Sequence, residues 1–266
     1  PIFEKEFLGT SYGFRPGKGC KDALREDNEH LKAGYTHVVD ADLKGYFDNI
    51  QHDLLMTRIK EHISDGRLLG LLQSWLEQDI VKGLERWTPT AGTPQGAVIS
   101  PLLANLFLHP LDEKMSKLGY RMVRYADDFV ILCQSASQAQ AALEEVKTWV
   151  EENSLTLHPD KTHVGDCLMQ GEGFEFLGYR FEAGKRWVRK KSLQGFKDKV
   201  REKTKRSRGA SLSSIIADLN LTIRGWFGYF KHALKSTFTP LDSFIRAATA
   251  GDTAQARKAT GYGMVL

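Results

Sequence analysis

The sequence is poor in cysteine and has no long apolar run. Only three of its 266 residues are cysteines, an odd number without the spacing of a metal site, which excludes a disulfide-rich miniprotein and favours a reducing, intracellular setting. The longest apolar stretch, 98–108, contains polar residues and a proline and is much shorter than the roughly 20 residues that span a bilayer. Glu4 and Lys5 near the start predict that no signal peptide is present.

What the sequence does contain is the composition of a globular protein with an uneven charge distribution. Hydrophobic residues make up 41% and charged residues 26%, and the net charge is +4. Between Lys185 and Arg208, however, twelve Lys or Arg residues stand against two acids, Asp198 and Glu202. This local excess predicts a polyanionic partner. The alternative is a helix face that is merely solvated.

Hydrophobic periodicity predicts a mixed α+β fold. A short buried strand is expected over 37–42, and two further strands over 121–125 and 129–133 are joined at 126–128. Helices are expected over 53–63, 66–81 and 100–118. The second is expected to be well buried, and the third to begin with a serine cap. A fourth helix is expected to begin at a capping box, 137–140, and to end near 153. A hairpin is expected from 174–181 and 185–189. The composition changes near Gly184, which predicts one domain over 1–183 and a basic helical domain over 184–266.

Acidic residues stand at the ends of the predicted strands. Asp127 and Asp128 lie between two apolar strands, and Asp42 ends another. Aspartates also occur in ordinary Asx turns, so this arrangement has a structural explanation too. If the strands are neighbours, Asp42 and Asp127 would converge on a divalent-cation site, because clustered carboxylates need cations and hard oxygen ligands suit magnesium.

Seven sequence blocks carry a resemblance to a known family. In order they are SYGFRPGKGCKDAL (11–24), VVDADLKGYFDNIQHDLL (38–55), GTPQGAVISPLLANLFLHPLD (92–112), RYADDFVIL (124–132), HPDKT (158–162), FEFLGYRF (174–181) and LNLTIRGWFGYFKHA (219–233). With these blocks the sequence resembles the bacterial group II intron-encoded reverse transcriptases, also called maturases. YADD alone is a weak signal, whereas seven blocks in the family's order are a specific one.

The resemblance implies a fold, an activity and partners. The fold is a right-hand polymerase with palm, partial fingers and a helical thumb. The activity is RNA-directed DNA synthesis, in which dNTPs are added to a primer 3′-OH by phosphoryl transfer with two Mg²⁺ ions, for which Mn²⁺ is a possible substitute. The partners are an RNA template such as intron RNA, a DNA or RNA primer and dNTPs, in the bacterial cytoplasm and without a membrane.

The resemblance also assigns roles to acidic and basic residues of the site. Asp42, Asp127 and Asp128 match the catalytic aspartates and, with the carbonyl of Leu43, the metal ligands. Lys161 matches a lysine that protonates the leaving pyrophosphate, although a plain surface lysine is the alternative.

Further residues are expected to contact the nucleotide and the nucleic acid. Phe47 matches the bulky gate that excludes a ribonucleotide 2′-OH, with a core aromatic as the alternative. Gln95 and Gly96 match the block that contacts the nucleotide or the template backbone. The residues expected to bind nucleic-acid backbone are Lys190, Lys191, Arg206, Arg208, Arg224 and Lys231.

Two departures from the family pattern limit what is expected. Family members usually carry a basic fingers stretch before PIFE, here at Pro1, so we expect this stretch to be supplied in cis or by a partner chain; Lys18, Lys21 and Arg25 are the nearest basic substitutes. No zinc-binding endonuclease module is expected. The alternative functions are a splicing maturase with an idle or weak polymerase site, and a domesticated reverse transcriptase in phage defence or spacer acquisition.

Overall fold

The chain divides into two compact units between Cys167 and Leu168. The computed structural model describes residues 2–82, 85–94, 96–205, 209 and 211–259. No helix within these residues is both long and apolar enough to cross a bilayer.

The first unit is built from six helices and six strands among its described residues. Its helices are α1 (Cys20–Lys32), α2 (Tyr46–Asn49), α3 (His52–Lys60), α4 (Gly66–Leu76), α5 (Ser100–Lys117) and α6 (Ala136–Glu152). Its strands are β1 (His37–Asp42), β2 (Ile80–Lys82), β3 (Glu85–Trp87), β4 (Arg121–Tyr125), β5 (Asp128–Cys133) and β6 (His163–Asp166).

The central sheet is antiparallel, with the strand order β4-β5-β1-β6. Because side chains alternate along a strand, each strand presents one set of residues to each face. Val39 of β1, Ile131 of β5 and Met122 of β4 are buried in one core with residues of α5 and α6. The opposite face carries the even-numbered residues of β1, including Asp42. The acidic ends of the strands therefore lie on the face away from this core.

The expectation of a well-buried helix over 66–81 is wrong in two respects. Helix α4 ends at Leu76, and Ile80 begins β2, which pairs with β3. Leu72 is buried, but Trp75 is 41% exposed. The physical reason is that the apolar residues of α4 occupy more than one side of the helix, and only one side meets the core. Trp75 instead lines an apolar cavity of about 260 Å³ together with Val98 and other residues.

Two helix starts differ in detail from the expected caps. The hydroxyl of Ser100 donates to the carbonyl of Pro94 at 2.7 Å and does not cap α5. The N-cap of α6 is Ser135, two residues before the expected serine, and its side chain accepts from the backbone N–H of Gln138 at 3.2 Å. Several serines and glutamines in this segment satisfy the same capping pattern, so spacing alone does not choose among them.

The second unit consists of a three-stranded sheet followed by helices. Its described elements are β7 (Phe174–Phe176), β8 (Tyr179–Glu182), β9 (Lys185–Val188), α7 (Lys190–Lys203), α8 (Leu212–Phe230) and α9 (Phe238–Ala259). Leu177 and Gly178 both have positive φ and form a turn, so the segment expected as one strand is two. Gly184 lies in the next turn of this sheet, which places the composition change inside a hairpin. Phe196 stacks on Trp226 with ring centroids 4.4 Å apart and packs in the core of this unit.

Arg124 connects the sheet of the first unit to α5. Its side chain is 0% exposed and donates two hydrogen bonds to the carboxylate of Asp112. It also donates to the Oδ1 atom of Asn105 at 2.9 Å and to the carbonyl of Ala126 at 2.8 Å. Asn105 in turn donates to the carbonyl of Gly13 at 2.8 Å. One buried cation thus fixes α5, the turn after β4 and the loop around Gly13 to one another.

We expect Arg124→Met to destabilise the protein by about 3–5 kcal/mol, because it leaves the carboxylate of Asp112 buried without its counter-charge. Urea unfolding measures this loss. Arg121→Met is the matched control, since Arg121 lies on the same strand but is exposed, and it should change stability little. The double variant Arg124→Met/Asp112→Leu should recover part of the loss. A double variant as unstable as Arg124→Met would show that lost packing, not the unpaired carboxylate, causes the effect.

Candidate active site

Strand pairing brings distant aspartates together on the face opposite Arg124. Asp42 of β1 pairs with Asp128 of β5, and Asp128 pairs with Tyr125 of β4. Directly paired residues of antiparallel strands point to the same face with Cβ atoms about 5 Å apart. Asp42, Asp128 and Tyr125 therefore form a row across three strands, which we call the acidic row.

Asp127 lies in the turn that joins β4 to β5, beside the acidic row. The preceding residue, Ala126, has a φ of 60°, an unusual conformation that the hydrogen bond from Arg124 to its carbonyl holds in place. Burial raises the pKa of the Asp127 carboxyl above its ordinary value, and the negative charge of Asp42 raises it further. Asp42 and Asp127 are thus electrostatically coupled, as two carboxylates of one site are.

Lys161 supplies positive charge to this site. Its ammonium lies 2.6 Å from the Oδ2 atom of Asp42, and its side chain is 58% exposed. The backbone N–H of His158 donates to the carbonyl of Asp42 at 2.7 Å, and the N–H of Lys44 donates to the carbonyl of Thr156 at 2.8 Å. These two bonds flank Leu43 and attach the segment that carries Lys161 to the end of β1. The structure therefore brings Lys161 and Leu43 to the carboxylates.

The donor chemistry of this site suits a divalent cation. Two coupled carboxylates, one of them with a raised pKa, need a positive charge, and carboxylate oxygens are the ligands that Mg²⁺ prefers. In the part of the chain that the structure describes, no three His, Cys, Asp or Glu side chains are gathered as a metal site. The ammonium of Lys161 meanwhile contacts the carboxylate that a metal would use. The side chains therefore have the chemistry of metal ligands, and a metal that binds the Oδ2 atom of Asp42 would displace the ammonium of Lys161.

A second loop lies against α2, next to the end of β1. The N–H of Thr93 donates to the carbonyl of Phe47 at 2.7 Å, and the N–H of Gly92 donates to the carbonyl of Ile50 at 2.7 Å. Gly92 has a φ of 91°, and a Cβ there would lie 2.9 Å from a backbone oxygen, so this close approach requires glycine. The loop continues to Gly96, while Gln95 lies outside the described residues.

The ring of Phe47 is half-buried and packs against the core of the first unit. It meets the ring of Tyr46 edge to face with centroids 5.5 Å apart. The two interpretations of Phe47, a gate and a core aromatic, are therefore both compatible with its position, because one side of the ring packs inward and the rest is open.

The basic residues near the start of the chain are largely engaged within the protein. The ammonium of Lys18 donates to the carbonyl of Gly9 at 2.7 Å, and burial lowers the pKa of Lys18. Arg25 pairs with Asp22 at 3.0 Å. Lys21 is exposed. Of the three expected substitutes for fingers cations, Lys18 and Arg25 already have partners.

Much of the positive charge of α7 is also used internally. Arg201 pairs with Asp198 at 2.6 Å, and Lys203 pairs with Asp218 at 2.5 Å. The guanidinium of Arg201 also lies 5.2 Å from the ring centroid of Phe244. Charge counted along the sequence therefore overstates the charge that this helix offers to a ligand.

Four of the six residues expected to bind nucleic-acid backbone lie on the surface of the second unit. Lys190 and Lys191 are exposed at the start of α7, Arg224 is exposed on α8, and Lys231 follows the end of α8. The other two, Arg206 and Arg208, lie outside the described residues.

Comparison with protein families assigns both units. The family model of reverse transcriptases (RNA-dependent DNA polymerases) matches residues 2–181, and that of the group II intron maturase-specific domain matches residues 193–251. The chain belongs to the group II intron reverse transcriptases. The family that the sequence blocks indicate is therefore confirmed.

Individual relatives of this reverse transcriptase share part of their length with it. Protein YkfC of Escherichia coli (strain K12) is 33% identical over 238 residues, which cover 73% of this chain and 59% of that protein. The group II intron-encoded protein LtrA of Lactococcus lactis subsp. cremoris is 36% identical over 123 residues, which cover 46% of this chain and 20% of LtrA. The chain thus spans less than two thirds of these relatives.

Solved structures confirm the expected fold class. Telomerase from Candida albicans, in complex with a fragment of telomeric RNA, superposes with a TM-score of 0.56 at 12% identity and covers 89% of this chain and 44% of the telomerase. Apo telomerase from Candida tropicalis gives 0.56 at 12% identity, with 92% and 52% covered. At this identity the likeness shows the fold alone, which is the mixed helix and antiparallel-sheet fold of reverse transcriptases.

The sequence patterns did not identify the buried residues that position the site from the core side of the sheet. Asn105, Asp112 and Arg124 were not singled out, although their network fixes the turn that carries Asp127. A signal was present, since Arg124 follows Met122 and Val123 within a short strand, and a charged residue at a buried strand position requires a buried partner. The sequence did not show which acid that partner is.

We expect Asp127→Asn to stabilise the metal-free protein at neutral pH. The folded-state pKa of Asp127 is raised above its ordinary value of 3.8, so ionisation of this carboxyl opposes folding. The gain in stability of Asp127→Asn over the wild type should be full above the raised pKa and should shrink as the pH falls through it. It should vanish below the ordinary pKa, where the wild type and the variant both carry a neutral side chain. Thermal unfolding in EDTA across this pH range measures the difference.

Glu29→Gln is the control for this measurement, because Glu29 is an exposed carboxyl on α1. Glu29→Gln should have nearly the same stability as the wild type at each pH. A stability gain for Asp127→Asn that persists unchanged at the lowest pH would contradict the explanation by ionisation.

Proposed function

We propose that the chain is the polymerase part of an RNA-directed DNA polymerase of group II intron type. It would add dNTPs to a primer 3′-OH on an RNA template. The observation that supports this most is the acidic row, in which Asp42 pairs with Asp128 beside Asp127, whose pKa is raised. Phosphoryl transfer depends on positioning and on neutralising charge, and this row offers fixed carboxylates for both tasks.

Asp42, Asp127 and Asp128, with the carbonyl of Leu43, would hold two Mg²⁺ ions, for which Mn²⁺ is a possible substitute. When bound, such ions activate the attacking hydroxyl and neutralise charge on the transferring phosphate. The protein's own contribution is to fix these oxygens on paired strands, whose positions are set by the sheet and by Arg124.

Lys161 is proposed as the donor that protonates the leaving pyrophosphate. Its ammonium reaches the carboxylate of Asp42 while its side chain stays largely exposed, so the same side chain can reach phosphate oxygens of a nucleotide placed at these carboxylates. The backbone bonds around Leu43 keep its segment attached to β1. Its ion pair with Asp42 is exposed and therefore contributes at most about 1 kcal/mol to stability, which leaves the side chain free to move.

Phe47, Gly96 and Gln95 are proposed to contact the incoming nucleotide. The backbone bond from Thr93 to Phe47 attaches the loop that leads to Gly96 to the backbone of Phe47. A ring at this position would exclude a 2′-OH and so favour dNTPs. The role of Gln95 remains a prediction from the sequence alone.

A splicing maturase is the second candidate function. The match to the maturase-specific domain over 193–251 supports it, and so do the exposed cations of the second unit. In this case the chain would bind intron RNA and leave the acidic row idle. Both candidates place the chain with RNA in the bacterial cytoplasm.

We expect Asp128→Asn to lower primer extension by at least about 100-fold, because a bound metal contributes several kcal/mol to phosphoryl transfer. The assay extends a DNA primer on an RNA template with dNTPs and Mg²⁺. Affinity for the primer–template should be unchanged, since the substitution keeps the shape of the side chain. Asp53→Asn, at an exposed position on α3, is the control and should retain activity. A wild-type chain that binds RNA but extends no primer would favour the maturase candidate instead.

We expect the exposed cations of the second unit to set the salt dependence of nucleic-acid binding. Replacing Lys190, Lys191, Arg224 and Lys231 with glutamine should reduce the slope of log Kd against log salt by about three. The control removes four exposed cations that already pair with carboxylates, namely Lys117, Lys147, Arg201 and Arg246. Both variants lose the same net charge, so an equal change in slope would show that overall charge, not these four residues, governs binding.

A further inference from the structure

Phe14 stands out because it combines a strained backbone with an exposed ring. Its φ is 59°, a conformation that is a genuine outlier for a bulky residue. Its side chain is 54% exposed, so burial of the ring does not account for the strain. Strained residues persist where the surrounding structure holds them, and they concentrate at functional sites.

The loop that carries Phe14 is fixed to the turn that carries Asp127. A Cβ at Gly13 would lie 2.3 Å from the backbone nitrogen of Ala126, so only glycine permits this approach. The carbonyl of Gly13 accepts from Asn105 at 2.8 Å, and the N–H of Tyr12 donates to the carbonyl of Arg124 at 2.8 Å. The position of the ring is therefore set by the same network that sets the turn.

Phe14 extends the acidic row at its outer end. Its ring centroid is 6.5 Å from that of Tyr125, with the planes at 43°. β4 is the end strand of the sheet, and Ser11 bridges to Arg124 along its free edge. A side-chain hydrogen bond with Cys20 and burial raise the pKa of Tyr125 to about 12, so its hydroxyl has a partner while its ring neighbours Phe14.

The distance along the row indicates what such a ring would meet. Two strand spacings of about 4.8 Å separate Tyr125 from Asp42, and the rings of Tyr125 and Phe14 are 6.5 Å apart, so the ring of Phe14 lies up to roughly 16 Å from Asp42. Bases follow one another at about 3.4 Å along a duplex strand, so this distance corresponds to several nucleotides. The ring is therefore too far from Asp42 for the base of a nucleotide that reacts there.

We propose that Phe14 and Tyr125 form a stacking platform for an unpaired base of the RNA template strand. This proposal rests on the function proposed above, since it takes the acidic row as the place where a nucleic-acid strand is held. Bases inside a duplex already stack on their neighbours, whereas an unpaired base offers its face to an aromatic side chain. Such stacking is tolerant of sequence, as a polymerase requires of a template contact.

The test measures binding without chemistry. The probe is a DNA primer annealed to an RNA template whose 5′ overhang carries 2-aminopurine at successive positions, titrated with the full chain in EDTA. We expect fluorescence quenching at one overhang position with the wild type. Phe14→Ala should abolish this quenching and weaken binding about tenfold, whereas Phe14→Trp should retain both. Phe14→Leu, which keeps apolar area but lacks a ring, should behave like Phe14→Ala.

The control is Leu118→Ala, since Leu118 is 50% exposed and follows α5, outside the acidic row. It should change neither quenching nor affinity. Phe14→Gly adds a check on folding, because glycine relieves the positive φ and should raise the unfolding temperature while binding is lost.

Each outcome decides the proposal separately from the polymerase function. Quenching and affinity that are unchanged in Phe14→Ala would overturn the platform, and so would a wild type that quenches 2-aminopurine at none of the overhang positions. If the wild type extends no primer but Phe14→Ala still loses overhang quenching, the platform stands as an RNA contact and the polymerase proposal fails. If the wild type extends primers and Phe14→Ala binds normally, only the platform fails.

Discussion

The guanidinium of Arg124 is fully buried, and its environment replaces the water that it loses. Both carboxylate oxygens of Asp112, the amide oxygen of Asn105 and the carbonyl of Ala126 accept from it. A buried charge is tolerated only when it is paired and hydrogen-bonded in this way. Because the planar guanidinium holds its donors in a fixed geometry, these four acceptors are fixed relative to one another. Because Ala126 is one of these acceptors, they also fix the position of the turn that carries Asp127.

The buried ion pair that stabilises the site and the carboxylates of the acidic row lie on opposite faces of the sheet. Arg124 and Asp112 neutralise each other on the core side of the sheet. The acidic row lies on the other face, where burial of Asp127, and secondarily the charge of Asp42, raise the pKa of the Asp127 carboxyl. On this face, Asp42 forms an ion pair with the exposed Lys161. The ion pair of Arg124 and Asp112 is buried and holds the fold, whereas the ion pair of Lys161 and Asp42 is exposed and contributes little to stability.

The sequence predicts the central strands and the acidic residues at their ends well, but it does not predict the strand pairing and the buried contacts that fix their positions. Strands β1, β4 and β5 each contain a short apolar segment with valine, and each has clear ends, so their existence follows from local pattern. Their pairing, which sets Asp42 beside Asp128, depends on contacts distant in sequence. The exposure of Trp75 on α4 and the partner of Arg124 also depend on which faces meet. The turn at Leu177 escaped prediction because leucine rarely adopts a positive φ.

The basic segment after Gly184 shows why exposure must be combined with charge before a nucleic-acid surface is assigned. Along the sequence its twelve cations look equivalent. In the fold, Arg201 and Lys203 pair with carboxylates of their own unit, so these cations neutralise the protein's own charge before they meet a ligand. Lys190 and Lys191 lie exposed in the first turn of α7, where the positive end of the helix dipole adds to their charge. The exposed charge of Lys190 and Lys191 therefore coincides with the positive end of the helix dipole.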